Sequence, residues 1–112
     1  MRTTNQDAYS AVMAKEKFTA SNMFAEWISR SWEDKVRDLY VVYSYGYHFP
    51  MWVWDDSIKE WVGNKDKYSR STTKQQSQTR PDNIKTWLDT DEIKRLVVCG
   101  GLAEYTMWKA QV

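Results

Sequence analysis

Residues 63–80 read Gly-Asn-Lys-Asp-Lys-Tyr-Ser-Arg-Ser-Thr-Thr-Lys-Gln-Gln-Ser-Gln-Thr-Arg, a run without apolar periodicity. Lys65, Lys67, Arg70, Lys74 and Arg80 stand against a single acid, Asp66. Ser69, Ser71, Thr72 and Thr73 add hydroxyls, and Gln75, Gln76 and Gln78 add amides. Such a set suits phosphate oxygens. Guanidinium and ammonium groups neutralise charge, while hydroxyls and backbone N–H groups aim donors. Tyr40, Tyr68 or a nearby Trp would stack a base. The competing reading is a solvated surface loop, because polar lysine-rich loops are common. The run is no Walker loop, since the glycines that let backbone wrap a phosphate are missing.

The other reactive residue types have simpler explanations. His48 lies among aromatics in an expected turn, where it could serve as a base or touch a phosphate. No Ser or Cys nucleophile is placed beside it, and an exposed, hydrogen-bonded turn histidine accounts for it. The acid pairs Glu33-Asp34, Asp55-Asp56 and Asp91-Glu92 fit surface, turn and helix-start positions, so no catalytic carboxylate pair is expected. Cys99 follows Leu96, Val97 and Val98 and reads as a small buried hydrophobe. Tyr43, Tyr45, Trp52 and Trp54 form either cross-strand packing pairs or an exposed recognition face.

These residues need elements to position them. Around 5–17, Tyr9, Val12 and Met13 at helical spacing, with Ala8, Ala11 and Ala14, predict a helix capped by Thr4 or Asn5. Residues 18–28 fit a short helix with Met23, Phe24, Trp27 and Ile28 on one face and Ser21 as cap, or else an extended segment. The helix is favoured, and 29–37 either lengthens it or connects across the surface. Residues 38–45 carry β-branched and aromatic side chains and predict a strand, with Leu39, Val41, Tyr43 and Tyr45 opposite Tyr40, Val42 and Ser44. Residues 49–55 predict a second strand, with Met51 and Val53 opposite Trp52 and Trp54. A turn at 55–59 and a short third strand at 60–62 complete an antiparallel meander.

The loop at 63–81 follows, with 72–78 able to form a helix capped by Thr72 or Thr73. Pro81 and Asp82 open a helical region, with Ile84, Trp87 and Leu88 on one face. Thr90 caps a helix over 91–99, which Gly100 and Gly101 end. Residues 102–109 predict one more helix, with Leu102, Tyr105 and Met107 or Trp108 inward. The expected organisation is one domain over 1–112: mainly helical to 37, a β-meander over 38–62, the basic loop, then helices over 82–112. The expected fold class is α+β, a three-stranded antiparallel β-meander packed with N-terminal and C-terminal helices on one face.

Composition narrows the function classes. At 112 residues and net charge +1, only local clustering of charge could attract nucleic acid or an anionic membrane. Seven Trp and seven Tyr exceed what so small a core would hold, which leaves aromatics for a binding surface. One Cys and one His exclude a disulfide framework and a zinc cluster, and favour a reducing compartment. The first residues do not read as a signal peptide, and no apolar run is long enough to span a bilayer. No metal or cofactor is expected.

The stretch 40–50, Tyr-Val-Val-Tyr-Ser-Tyr-Gly-Tyr-His-Phe-Pro, taken with Trp61 and residues 64–80, resembles a small family of uncharacterised phage and mobile-element proteins. Ser44-Tyr45-Gly46, Asn64, Lys67-Tyr68-Ser69, Thr72-Thr73 and Gln76 carry the likeness. Position 75 departs, with Gln where the pattern has His, so a catalytic role for that His would be lost here. The resemblance implies a phage origin. With it, the expected function is a non-enzymatic protein that binds a host protein or protein–nucleic-acid complex in the host cytoplasm. Inhibition of a defence system of the CRISPR–Cas kind fits that role. The alternative is a small nucleic-acid- or nucleotide-binding module using 64–80, and a homodimer is compatible with either. The expected contacts are Lys65, Lys67, Tyr68, Ser69, Arg70, Thr72, Thr73, Lys74, Gln76 and Arg80, together with Tyr45, His48, Trp52 and Trp54.

Overall fold

A computed structural model describes residues 2–32, 35–67 and 69–111. The expectations for Glu33, Asp34 and Tyr68 lie outside the described residues. In chain order the elements are α1 (Ala8–Met13), β1 (Phe18–Thr19), β2 (Met23–Trp32), β3 (Lys35–Ser44), β4 (Pro50–Asp55), β5 (Glu60–Asn64), α2 (Arg70–Thr79), β6 (Thr86–Leu88), α3 (Thr90–Cys99) and α4 (Leu102–Ala110). The six strands form one sheet in sequence order; β1 to β5 are antiparallel and β6 joins β5 in parallel. The architecture is therefore α+β. The expected meander is its β3–β4–β5 centre, and the sheet is wider on both sides.

Helices cover both faces of the sheet, not one. On the first face Ala8, Ala11 and Val12 of α1 pack with Met23, Ala25, Tyr40, Val42, Trp52 and Trp61. On the second, Ile93, Leu96 and Val97 of α3 and Tyr105 of α4 pack with Leu39, Val41, Tyr43, Val53 and Val62. Each fully buried aliphatic side chain contributes on the order of 1.5–3 kcal/mol. The alternation expected for β3 thus holds from Leu39 to Tyr43, whose two faces feed two cores, but the strand ends at Ser44 and Tyr45 lies beyond it.

Residues 18–32 and 35–37 are not helical; they supply β1, β2 and the start of β3. Met23 and Ala25 enter one core while Phe24 and Ile28 pack against the other, so two apolar faces mimic a helical spacing. In β4, Met51 shares a core with Trp52, not with Val53. A register shift between Val42 and Tyr43 pairs Val42 with Trp52 and Tyr43 with Pro50, leaving Met51 as the extra residue of a bulge.

Residues 82–88 are no helix either. Thr86–Leu88 pairs with β5, and Ile84 packs against the first core. The cap of α3 is Asp89, not Thr90. The Asp89 side chain accepts from Glu92 N–H, and the Glu92 side chain accepts from Asp89 N–H, a full capping box. Gly100 ends α3 at φ 96 with its N–H on Leu96 and Val97 carbonyls, as expected. In α4, Tyr105 is buried and Leu102 packs on the core, but Met107 and Trp108 face solvent. Among the described residues no helix is long and apolar enough to cross a membrane.

Candidate functional site

The basic run is only partly a loop. Residues 63 and 64 end β5, and 70–79 form α2. Its cap is Ser69, whose Oγ accepts from Thr72 N–H at 3.1 Å; Thr72 and Thr73 are inside the helix. Apolar periodicity is missing because the buried stripe is polar: Thr72, Gln75, Gln76 and Thr79 at i, i+3, i+4, i+7. Each of these finds partners, as buried polar groups must.

A first node joins α2 to the ends of β2 and β3. Ser44 Oγ donates to Gln75 Oε1 and lies 3.1 Å from Thr72 Oγ1. Since the single Ser44 proton goes to Gln75, Thr72 is the donor to Ser44. Ser69 Oγ in turn donates to Thr72 Oγ1 at 3.1 Å, giving a directed chain of hydroxyls. Gln75 Nε2 donates to the Asn22 carbonyl at 3.4 Å. Further along α2, Trp52 Nε1 donates to Thr79 Oγ1 at 2.9 Å.

A second node joins α2 to β5 and α3. Asn64 Nδ2 donates to the Pro50 carbonyl at 2.8 Å and to Thr90 Oγ1 at 3.0 Å. Gln76 Nε2 donates to the Asn64 and Asp66 carbonyls, both at 3.2 Å. Asp66 Oδ2 accepts from Thr90 N–H at 2.8 Å. Hydrogen bonds from Thr90 hold the Asp66 carboxyl below the usual carboxylate range. So Ser44, Asn64, Thr72 and Gln76 pin α2 in place, and Thr72 and Gln76 offer nothing to a partner.

With that stripe buried, the cations are left outside. Lys65, Lys67, Arg70, Lys74 and Arg80 are all exposed, as are Ser69 and Thr73. Thr73 Oγ1 is taken by the Ser69 carbonyl at 2.9 Å, and Lys67 Nζ reaches Gln76 Oε1 at 3.4 Å. Asp66 is the acid among them, and its Oδ2 is already bonded. Arg80 lies over the half-exposed ring of Trp87, 5.0 Å from its centroid. A Cβ at Gly63 would fall 2.8 Å from that ring, so the glycine lets Trp87 lie across β5. Trp87, expected on a helix face, is thereby a site residue that periodicity hid.

The aromatic surface is elsewhere than Trp52 and Trp54. Trp52 is buried, and Trp54 is half-buried beneath Lys15, whose Nζ sits 4.1 Å from its ring centroid. Exposed instead are Tyr45 and Tyr47. Tyr47 packs with Phe24 and Tyr43 at centroid distances of 5.1 and 5.0 Å. Tyr45 sits in the left-handed region, φ 64, where a bulky side chain is strained, and its hydroxyl accepts from Asn22 Nδ2 at 3.2 Å. His48 is exposed and shares a cleft of about 500 Å3 with Asp66, Lys67, Thr90 and Lys94. Tertiary folding thus brings His48 and Lys67 together and adds Lys94, which no local pattern pointed to.

The acids have structural partners. Asp55 is buried, accepts from Ser57 and caps α4 through Leu102 N–H at 2.8 Å. Asp56 accepts from Lys59 and Trp54, the Lys59 contact chiefly holding its carboxyl down. Glu92 serves the α3 capping box. Cys99 is half-buried against the second core, and burial pushes its thiol up. Among the described residues no group of His, Cys, Asp or Glu is arranged to hold a metal ion. Set against models of protein families, curated proteins and solved structures, the chain matches none of them.

Proposed function

We propose that the protein is a non-enzymatic binding module whose α2 ridge takes the backbone of a single-stranded nucleic acid. One observation carries this: burial of the polar stripe of α2 leaves Arg70 and Lys74 of the helix, Lys65 and Lys67 of the segment before it and Arg80 just after it exposed, beside an Arg80–Trp87 stack. Cations give salt-dependent affinity for phosphates, and an exposed indole gives a platform for a base. The carboxylates at Asp55, Asp56 and Glu92 are committed to caps and ion pairs, which favours binding over acid–base chemistry.

A second reading keeps a phage-type inhibitor of a host process such as a defence system. Exposed Val98, Met107 and Trp108 on the α3–α4 layer favour it, since a protein partner would cover such side chains. The two part on a titration. On the first reading, affinity for a single strand falls steeply with salt, and Lys67→Ala, Arg70→Ala and Lys74→Ala each weaken it and lower the salt slope by about one phosphate. Affinity that is flat with salt, or indifferent to all three changes, would overturn it. Capture of a host protein that survives nuclease treatment would then favour the second.

A further inference from the structure

Between the start of α1 and one side of α2 lies a polar cleft of about 340 Å3, within the size range of small-ligand sites. Ser71, Lys74, Gln75 and Gln78 line it from α2 at i, i+3, i+4, i+7, a stripe distinct from the exposed Arg70, Thr73 and Arg80. Asn5, Gln6 and Asn22 close the other side. The lining is amides, one hydroxyl and one ammonium group, with no aromatic plate. A base needs such a plate, whereas a sugar hydroxyl, at once donor and acceptor, is matched by side-chain amides.

The floor is also unsettled. Asn5 Nδ2 donates to Asn22 Oδ1 at 2.7 Å, but Asn5 Oδ1 is shut away from solvent without a partner among the described residues. Turning both amides over moves the deficit to Asn5 nitrogen without removing it. A buried unpaired polar atom is costly, so this amide gains by swinging its free edge toward an incoming hydroxyl. Lys74 belongs both to this cleft and to the basic ridge, and one helical turn of about 6 Å separates it from Arg70.

We propose that this cleft reads the ribose 2′-hydroxyl, so that the strand on the ridge is RNA. Gln78, Gln6 and Asn5 bond the hydroxyl while Lys74 holds the adjoining phosphate. This inference rests on the nucleic-acid reading of the ridge and goes beyond it by naming the sugar.

The test uses the full chain with an oligouridylate and its 2′-deoxy counterpart of equal length, followed by fluorescence anisotropy at fixed salt. RNA should bind roughly tenfold tighter, the worth of one or two hydrogen bonds. Gln78→Ala and Gln6→Ala should shrink that ratio while leaving the affinity for DNA and the melting temperature unchanged. Lys74→Ala should weaken both strands. Equal affinity of the wild-type chain for the two strands overturns the ribose inference and leaves the ridge standing. A ratio unmoved by Gln78→Ala and Gln6→Ala also overturns it. Binding of neither strand overturns both.

Discussion

Gln75 shows how one side chain can be architectural inside a run that looks like a contact surface. Its Oε1 accepts from Ser44 and its Nε2 donates to the Asn22 carbonyl, both through a buried amide. Gln75→Leu removes both bonds at nearly the same volume and leaves the buried Ser44 hydroxyl without its acceptor, while the Asn22 carbonyl keeps Tyr45 N–H. The expected loss is about 1–3 kcal/mol, read by chemical denaturation. A neutral imidazole has one acceptor and one donor nitrogen, so Gln75→His should retain much of the stability. A Gln75→Leu chain as stable as the parent would show that the node carries no energy. The residue types of this node were legible in the sequence, but their direction was not. Which face of a polar helix is buried depends on Ser44 and Asn22, which are distant in the chain.

At the scale of elements, α2 is held by its cap and its two nodes, since no apolar stripe packs it. Ser69→Ala removes the acceptor for Thr72 N–H and the donor to Thr72 Oγ1. The loss should be about 1 kcal/mol, seen as a lower unfolding midpoint. Were Thr72 or Thr73 the cap, Ser69→Ala would be neutral. Elements with strong local signals were legible: the alternation of β3, the turn after β4, and the Gly100 stop of α3. Three were not: β1, β2 and β6. β1 is two residues long, and in β2 Met23, Phe24, Trp27 and Ile28 also fall at helical spacing, without the β-branched density that marks β3. β6 is a strand only because β5 lies beside it, and Ile84, Trp87 and Leu88 otherwise sit at helical spacing.

At the scale of the whole molecule, carboxylates tie the α3–α4 layer together and to the sheet. Asp66 holds Thr90 N–H, and Glu92 accepts from Asp89 N–H, Tyr105 and Lys109. The Asp66 carboxyl is held below its ordinary range by Thr90, and the Glu92 carboxyl chiefly by Asp89 N–H. A depressed folded value means the unfolded chain binds protons more readily. The stabilisation is therefore present above the unfolded carboxylate range, about 4, and is lost as pH falls through the folded values. Melting temperature should fall on acidification below about pH 4, and Asp66→Asn should flatten part of that fall. A melting profile unchanged between neutral and acidic pH would contradict this. At the alkaline end, burial first and Glu16 second push the Tyr40 phenol up. Its contribution is present below about pH 10 and fades above it.

The sequence by itself determined the α+β class, the central meander, both C-terminal helices and the location of the cations. Each of these follows from local spacing, propensity or capping. Only the tertiary structure decided the width of the sheet, the covering of both its faces and the parallel seat of β6. It also sorted the run 63–80, because burial against Ser44, Asn64 and Trp52 takes Thr72, Gln75, Gln76 and Thr79 inward. The exposed cations, and the amide cleft beside Lys74, are what that burial leaves over. Burial is a property of which distant surfaces meet, and no window of neighbouring residues contains it.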